Sequence, residues 1–301
     1  MPTISHCPLC GKENVEIKFH VKDHTVSSRY FDIASCIGCG FLFTLDPPDA
    51  ESIGVYYQSD AYISHSNSTK GFLNAIYHLV RKRAVSSKSK LLCNATGKKN
   101  GSILDYGCGT GSFMAEMQSV GWLVTGIEPD AGARQKAIDQ TGAVVEMPSF
   151  LNSIESESND AITMWHVLEH VHDLHQTVKE LMRILKDDGV LIIAVPNHRS
   201  FDATYYKAFW AAFDVPRHLY HFSPDTMKKL LTMHGLSIVK LLPMWFDSFY
   251  VSLLSEKYKH GKTRFFNAMM IGLISNLKAM FRPGMCSSQI YVIRKADYLL
   301  K

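Results

Sequence analysis

The chain has 301 residues, 46% of them hydrophobic and 20% charged, with a formal net charge of +4. That is enough for one large core with appendages, and ordinary for a globular protein. So mild a basic excess gives no ground for expecting a nucleic-acid partner. The opening stretch MPTISHCPLCGKE lacks an apolar signal-type core, and no window of about 18 residues is free of charge, so no spanning helix is expected. The sequons at Asn67 and Asn94 then carry no meaning, and a cytoplasmic location is the expectation.

Two cysteine pairs come first. Cys7 and Cys10 in CPLCG, and Cys36 and Cys39 in CIGCG, share one spacing and one following glycine. Two residues between thiolates let both face one ion, and the glycine turns the backbone. Two such knuckles predict a closed tetrahedral zinc site with a structural role. A lone redox pair would lack the matched second knuckle. The intervening residues read as short strands, so 1–45 is expected to form a zinc ribbon with little core, dependent on its metal for stability.

Residues 46–100 are expected to form a helical connector or cap. Pro47 and Pro48 break regular structure. Phe72, Leu73, Ile76, Leu79 and Val80 then recur at helical spacing. Arg81, Lys82, Arg83, Lys88 and Lys90 read as a solvated basic face.

From 101 onward strands and helices alternate, as in a parallel sheet. The strands are SILDYG, WLVTGIEPD, AVVEM, DAITMW and VLIIAVPN, the last uniformly apolar like a strand buried on both faces. Helices fall between them, one spanning LHQTVKELMRILKDDG. The first strand runs into the turn YGCGTGSF, where glycines permit positive φ and close approach of a ligand to the backbone. The pattern is D-x-G-x-G-x-G and not the G-x-G-x-x-G of a dinucleotide site. Asp105 before the turn suits a cationic amino group better than pyrophosphate. Glu128, at the end of the second strand, can accept from both hydroxyls of a ribose. A carboxylate for an ammonium, glycines, and a carboxylate for a diol match the parts of S-adenosylmethionine.

At this point the chain resembles the class I S-adenosylmethionine-dependent methyltransferases, and more closely those preceded by a four-cysteine zinc ribbon. The resemblance rests on CPLCG with CIGCG, LDYGCGTGSF, GIEPD, MWHVLEHVHD, RILKDDGVLIIAVPN and RHLYHFSPDTMKKLL, across most of residues 7–235. It implies an α/β fold: a doubly wound, Rossmann-like seven-stranded sheet over 101–301, preceded by the ribbon. It implies that Asp105, Gly107, Gly109 and Gly111 hold the methionyl part of the cofactor and Glu128 the ribose. Trp165, His166, Glu169 and His170 would flank the cofactor and face the acceptor. An acidic residue for the adenine amine is missing after the third strand, so backbone near Met147–Phe150 is expected to serve. Histidine suits proton transfer near neutral pH. His166, His170, His218 and His221 are the candidate bases, with Arg217 beside the last two.

The sixth and seventh strands, LSIVKLLPM and SSQIYVIRK, are separated by an insertion at about 244–284 that reads as two helices, the second apolar almost all round. Three readings stand: a lid over an apolar or glycan-linked acceptor, a homodimer face, or peripheral contact with an anionic membrane. The function expected is methyl transfer to a small-molecule, sugar or lipid-like acceptor. A sugar-nucleotide C- or O-methyltransferase and a non-catalytic binding protein with a vestigial site are the alternatives.

Overall fold

Residues 6–57 and 72–300 are described by the computed structural model; side chains are described outside 72–82 and up to residue 298. Asn67 lies outside the described residues, as do the side chains of Phe72, Leu73, Ile76, Leu79, Val80, Arg81 and Lys82.

The chain begins with three antiparallel strands, β1 (Val15–Lys22), β2 (Tyr30–Cys36) and β3 (Leu42–Thr44). A long helix, α1 (Phe72–Thr96), leads to β4 (Ser102–Tyr106), α2 (Ser112–Ser119), β5 (Leu123–Ile127), α3 (Ala131–Thr141) and β6 (Val144–Glu146). Then come β7 (Asn159–Trp165), α4 (Leu174–Ile184), β8 (Leu185–Pro196) and the short α5 (Phe201–Tyr206). The chain continues through β9 (Tyr220–His221), α6 (Pro224–Met233), β10 (Leu236–Pro243), α7 (Asp247–His260), α8 (Phe265–Phe281) and β11 (Ser288–Lys295).

Seven strands form one sheet in the order β10-β11-β8-β7-β4-β5-β6. The five from β6 to β8 are parallel, and β11 runs antiparallel to both of its neighbours. Strand order reverses between β4 and β7, so the crevice for a ligand opens at their carboxyl ends. In β8 every residue from Val190 to Val195 is fully buried, as a strand covered on both faces requires.

Local signals place the elements. Asp173 caps α4 by accepting from Gln176 N at 3.1 Å, and Leu174, Val178, Leu181 and Ile184 form its buried stripe. Burial of each stabilises the fold by about 1.5–3 kcal/mol. Ser223 and Thr226 form a capping box on α6 with Pro224 in its first turn. One expected boundary differs. The helix expected to run to Gly189 ends at Ile184, because the Arg183 and Ile184 carbonyls accept from Glu157 N and Ser158 N. Leu185 then pairs with Asn159 and begins the strand.

The ribbon is not a free-standing unit. Its sheet has four strands, and the fourth is β9, from the loop before α6. Leu42 pairs with His221 and Phe43 with Tyr220; Thr44 donates twice there, its N–H to Leu219 O and its hydroxyl to His218 O. Phe41 packs its ring on Tyr220 and Phe222 at 5.9 and 5.5 Å. Leu9, Ala34, Phe41 and Phe43 thus belong to one core with Leu104, Ile162 and Tyr291 of the main sheet. The expectation of little core fails because the apolar face is completed by β9, where His221 lies 177 residues beyond Thr44.

Candidate active site

The glycine turn follows β4. Gly107, Gly109 and Gly111 all have positive φ, 76°, 55° and 82°. Two are dictated by packing. A Cβ on Gly107 would lie 2.3 Å from Val167 Cγ2, and one on Gly111 2.9 Å from the Ala137 backbone. A Cβ on Gly109 would meet nothing within 4 Å among the described residues, so this is where the turn presents bare backbone.

Around that opening stand two buried carboxylates. Asp105, 3% exposed, accepts from Thr163 Oγ1 at 2.7 Å. Burial pushes its carboxyl up to about 7, against the pull of Thr163 and the Lys88 ammonium. A cation brought alongside would hold it ionised. Glu128 accepts from Gly109 N at 2.8 Å and Asp130 N at 3.0 Å. Burial raises its carboxyl, and those two N–H groups oppose the rise. Asp130 also caps α3 through Ala133 N, which makes GIEPD a strand end and a helix start at once. Met147, just after β6, is half exposed.

Trp165 closes β7. Phe113 meets its ring edge-on at 5.7 Å, and Lys88 Nζ sits 4.3 Å from the ring centroid. The buried Trp165 Nε1 has no hydrogen-bond partner among the described residues. Burial lowers the Lys88 ammonium, while Asp105 and Asp247 favour its charge. The expectation of a solvated basic face fails at Lys88: Lys90 is exposed, but Lys88 two residues earlier turns inward. An open backbone turn, a buried carboxylate short of positive charge, a second at the next strand end and an orphaned indole N–H fit S-adenosylmethionine.

The next residues form the acceptor side. His166 has φ 58° and donates its backbone N–H to Ala194 O. Its ring is clamped, Nδ1 3.3 Å from Glu169 and Nε2 3.0 Å from Asp247. Burial disfavours the imidazolium, but the Asp247 and Glu169 carboxylates prevail and raise it to about 10. At neutral pH both ring nitrogens are therefore protonated and His166 has no lone pair to act as a base.

His170 is the opposite case. Its Nδ1 lies 3.0 Å from both Arg217 O and Tyr57 OH. A carbonyl can only accept, so Nδ1 carries the proton and Nε2 the lone pair. Burial, reinforced by His218, lowers this ring to about 4. His218 crosses it edge-on at 4.6 Å and donates Nδ1–H to Ala212 O at 2.8 Å. Glu169, His170 and His218 bring a carboxylate oxygen and two ring nitrogens within 4.8 Å of one another. Glu169 Oε1 meets His166 at the 3.3 Å ion-pair distance outside hydrogen-bond geometry, and Oε2 is buried with no hydrogen bond among the described residues.

Two expected members lie elsewhere. His221 sits in β9 against Thr44 Oγ1 at 3.2 Å, with burial holding it well below the ordinary histidine value. Arg217, expected to overhang the crevice, is 2% exposed. It pairs with Asp214, donates to Tyr56 O at 2.8 Å and reaches Thr25 Oγ1 of the ribbon. Lys88, Asp247, Tyr57 and Asp214 escaped sequence reasoning. Asp247 begins a helix, where an acid is commonplace, and Lys88 is one lysine in a basic run.

At the N-terminus, Cys7, Cys10, Cys36 and Cys39 gather their sulfurs within 4.8 Å, with Cys7–Cys39 at 3.6 Å and Cys10–Cys36 at 3.7 Å. Zn–S bonds of about 2.3 Å in a tetrahedron need sulfurs about 3.8 Å apart. The two knuckles repeat one backbone pattern. Gly11 and Gly40, at φ 71° and 72°, donate to Cys7 O and Cys36 O. The cysteines in turn donate to Lys12 O and Phe41 O. Four thiols on two pre-turned knuckles fit zinc, with all four positions taken by protein.

Residues 77–241, more than half of the chain, match the family described as Methyltransferase domain. A ubiquinone biosynthesis O-methyltransferase of Glaesserella parasuis is 35% identical over 112 residues, 34% of this chain and 46% of the relative. One of Rickettsia typhi is 27% identical over 194 residues, 59% of this chain and 75% of the relative. The match thus spans just under half the length of the first of these relatives. Among solved structures, magnesium protoporphyrin IX methyltransferase from Synechocystis PCC 6803 with bound SAH superposes with a TM-score of 0.54. It is 16% identical, over 82% of this chain and all of that one, and so shares the fold.

Proposed function

Because the chain belongs to the methyltransferase-domain family, we propose that it transfers a methyl group from S-adenosylmethionine to an oxygen of a small, apolar or lipid-like acceptor. When bound, S-adenosylmethionine supplies an electrophilic methyl on a sulfonium. Asp105 would bind its ammonium, the bare backbone at Gly109 would admit its methionyl part, and Glu128 would accept from its ribose hydroxyls. The chain's remaining task is to hold the acceptor and take its proton.

One observation carries this reading: His170 presents a neutral ring whose Nδ1–H is fixed on the Arg217 carbonyl. Its Nε2, with no hydrogen bond among the described residues, can receive a hydroxyl proton, and Glu169 can stabilise the imidazolium that forms. His166, held as a cation between two carboxylates, would serve as a positioning residue. The likeness to two O-methyltransferases agrees with an oxygen nucleophile. In the same reading the four-cysteine site holds one structural zinc, and 1–45, 46–100 and 101–301 are ribbon, cap and methyltransferase parts.

The test is release of S-adenosylhomocysteine, followed by mass spectrometry, with phenols, prenylated phenols and nucleotide sugars as acceptors. Turnover is expected with the phenols. His170→Gln should lower it by roughly 10²–10⁴ while calorimetry shows unchanged cofactor binding. A parent protein that binds no S-adenosylmethionine, or a variant that turns over as fast, would overturn the reading.

A further inference from the structure

The insertion between β10 and β11 is amphipathic in the wrong sense. Helix α8 buries Ala268, Ile271, Gly272, Ser275, Asn276 and Ala279, and those polar groups are satisfied. Ser275 donates to Asp202 at 2.6 Å, and Asn276 donates to Trp245 O at 2.8 Å and accepts from Ser248. A Cβ on Gly272 would lie 3.1 Å from the Phe249 backbone, so α7 seats closely on this face. The opposite face carries Phe266, Met270, Leu273, Leu277, Met280 and Phe281, between 45 and 88% exposed. Their spacing puts them along one stripe of a helix about 25 Å long. The helix therefore does not turn its large apolar side chains onto the acceptor crevice, as a lid would.

Charge says what covers this stripe. From Lys257 to Met285 the chain has no Asp or Glu. Lys257, Lys262, Arg264 and Arg282 are exposed, and the last three bracket the two ends of α8, while Lys278 lies over the Phe201 ring with Nζ 3.9 Å from its centroid. A second copy packed on the same stripe would set these cations against their own kind. An anionic lipid surface matches both parts, the stripe meeting acyl chains and the flanking cations meeting headgroups. No described helix is long and apolar enough to cross a membrane, so contact would be at the interface.

We infer that α8 is a docking face for an anionic membrane surface, on which the protein rests without spanning it. The inference does not depend on the acceptor chemistry proposed above. The test is flotation of the full chain with vesicles of phosphatidylcholine alone or mixed equally with phosphatidylglycerol. Binding to the mixed vesicles is expected to exceed that to the neutral ones by about tenfold, and to fall at about 0.5 M salt. Leu273→Glu with Leu277→Glu should abolish flotation with circular dichroism and thermal midpoint unchanged, since both side chains are already exposed. Arg264→Glu with Arg282→Glu should weaken it while keeping the stripe. Absence of the parent from anionic vesicles at low salt would overturn the inference. So would a parent dimer that the leucine variant converts to monomer with no difference in flotation.

Discussion

Asp247→Asn tests the clamp on His166. The ring lies 3.0 Å from Asp247 and 3.3 Å from Glu169, and its value stands at about 10 against an ordinary 6.5. At about 1.4 kcal/mol per pH unit that gap is worth roughly 4–5 kcal/mol. The side chain is 32% exposed, and solvent screening reduces the useful part to on the order of 2 kcal/mol. The folded value is raised, so the contribution is fully present below pH 6.5 and is lost as pH climbs through about 10. The variant keeps the shape and removes one of the two charges. His166 should then titrate about 1–2 pH units lower, and alkaline loss of stability should begin correspondingly earlier. Imidazole resonances followed by NMR against pH, with thermal midpoints over the same range, measure both. A parent His166 that titrates near 6.5, or a variant that leaves it unmoved, would refute the electrostatic argument.

Three further outcomes are expected. Glu128→Ala should weaken S-adenosylmethionine binding by about 1.5–3 kcal/mol by calorimetry, since it removes a charged acceptor for the ribose and releases Gly109 N and Asp130 N. Gly109→Val should be more severe, because a β-branched residue resists positive φ and its side chain would fill the open space beside the turn. Metal analysis should find about one zinc per chain, and Cys36→Ser should lose both the metal and several degrees of thermal midpoint; full zinc content with unchanged stability would remove the site.

The parts legible in the sequence are those set by local rules. Strand alternation, the glycine turn after Asp105 and the paired knuckles each depend on residues a few positions apart. Gly109 and Glu128 read for the same reason as neighbours of one ligand, and in the fold a hydrogen bond joins them. Long-range partners were not legible. His166 and Asp247 are 81 positions apart, and neither residue type announces the other. His218 and His221 look alike on paper, three residues apart in RHLYHF. The strand pairing of β9 separates them, leaving His218 beside His170 and tying His221 to Thr44. The polarity of α8 was hidden too, because a helix apolar almost all round does not say which apolar face meets the protein.

The two-residue strand β9 has a consequence for how the chain comes off the ribosome. Its partner strand is β3, whose Thr44 emerges 177 residues before His221. At about 5–20 residues per second the gap lasts roughly 9–35 s. Throughout that interval β3 is an unpaired sheet edge with Phe41 and Phe43 uncovered, a template for mispairing with another nascent chain. The four thiols all precede β3 and are complete before it emerges. Metal captured early would hold the knuckles in register until the missing strand arrives, so scarcity of zinc during synthesis should lower the yield of folded protein more than chelation of the finished one lowers its stability.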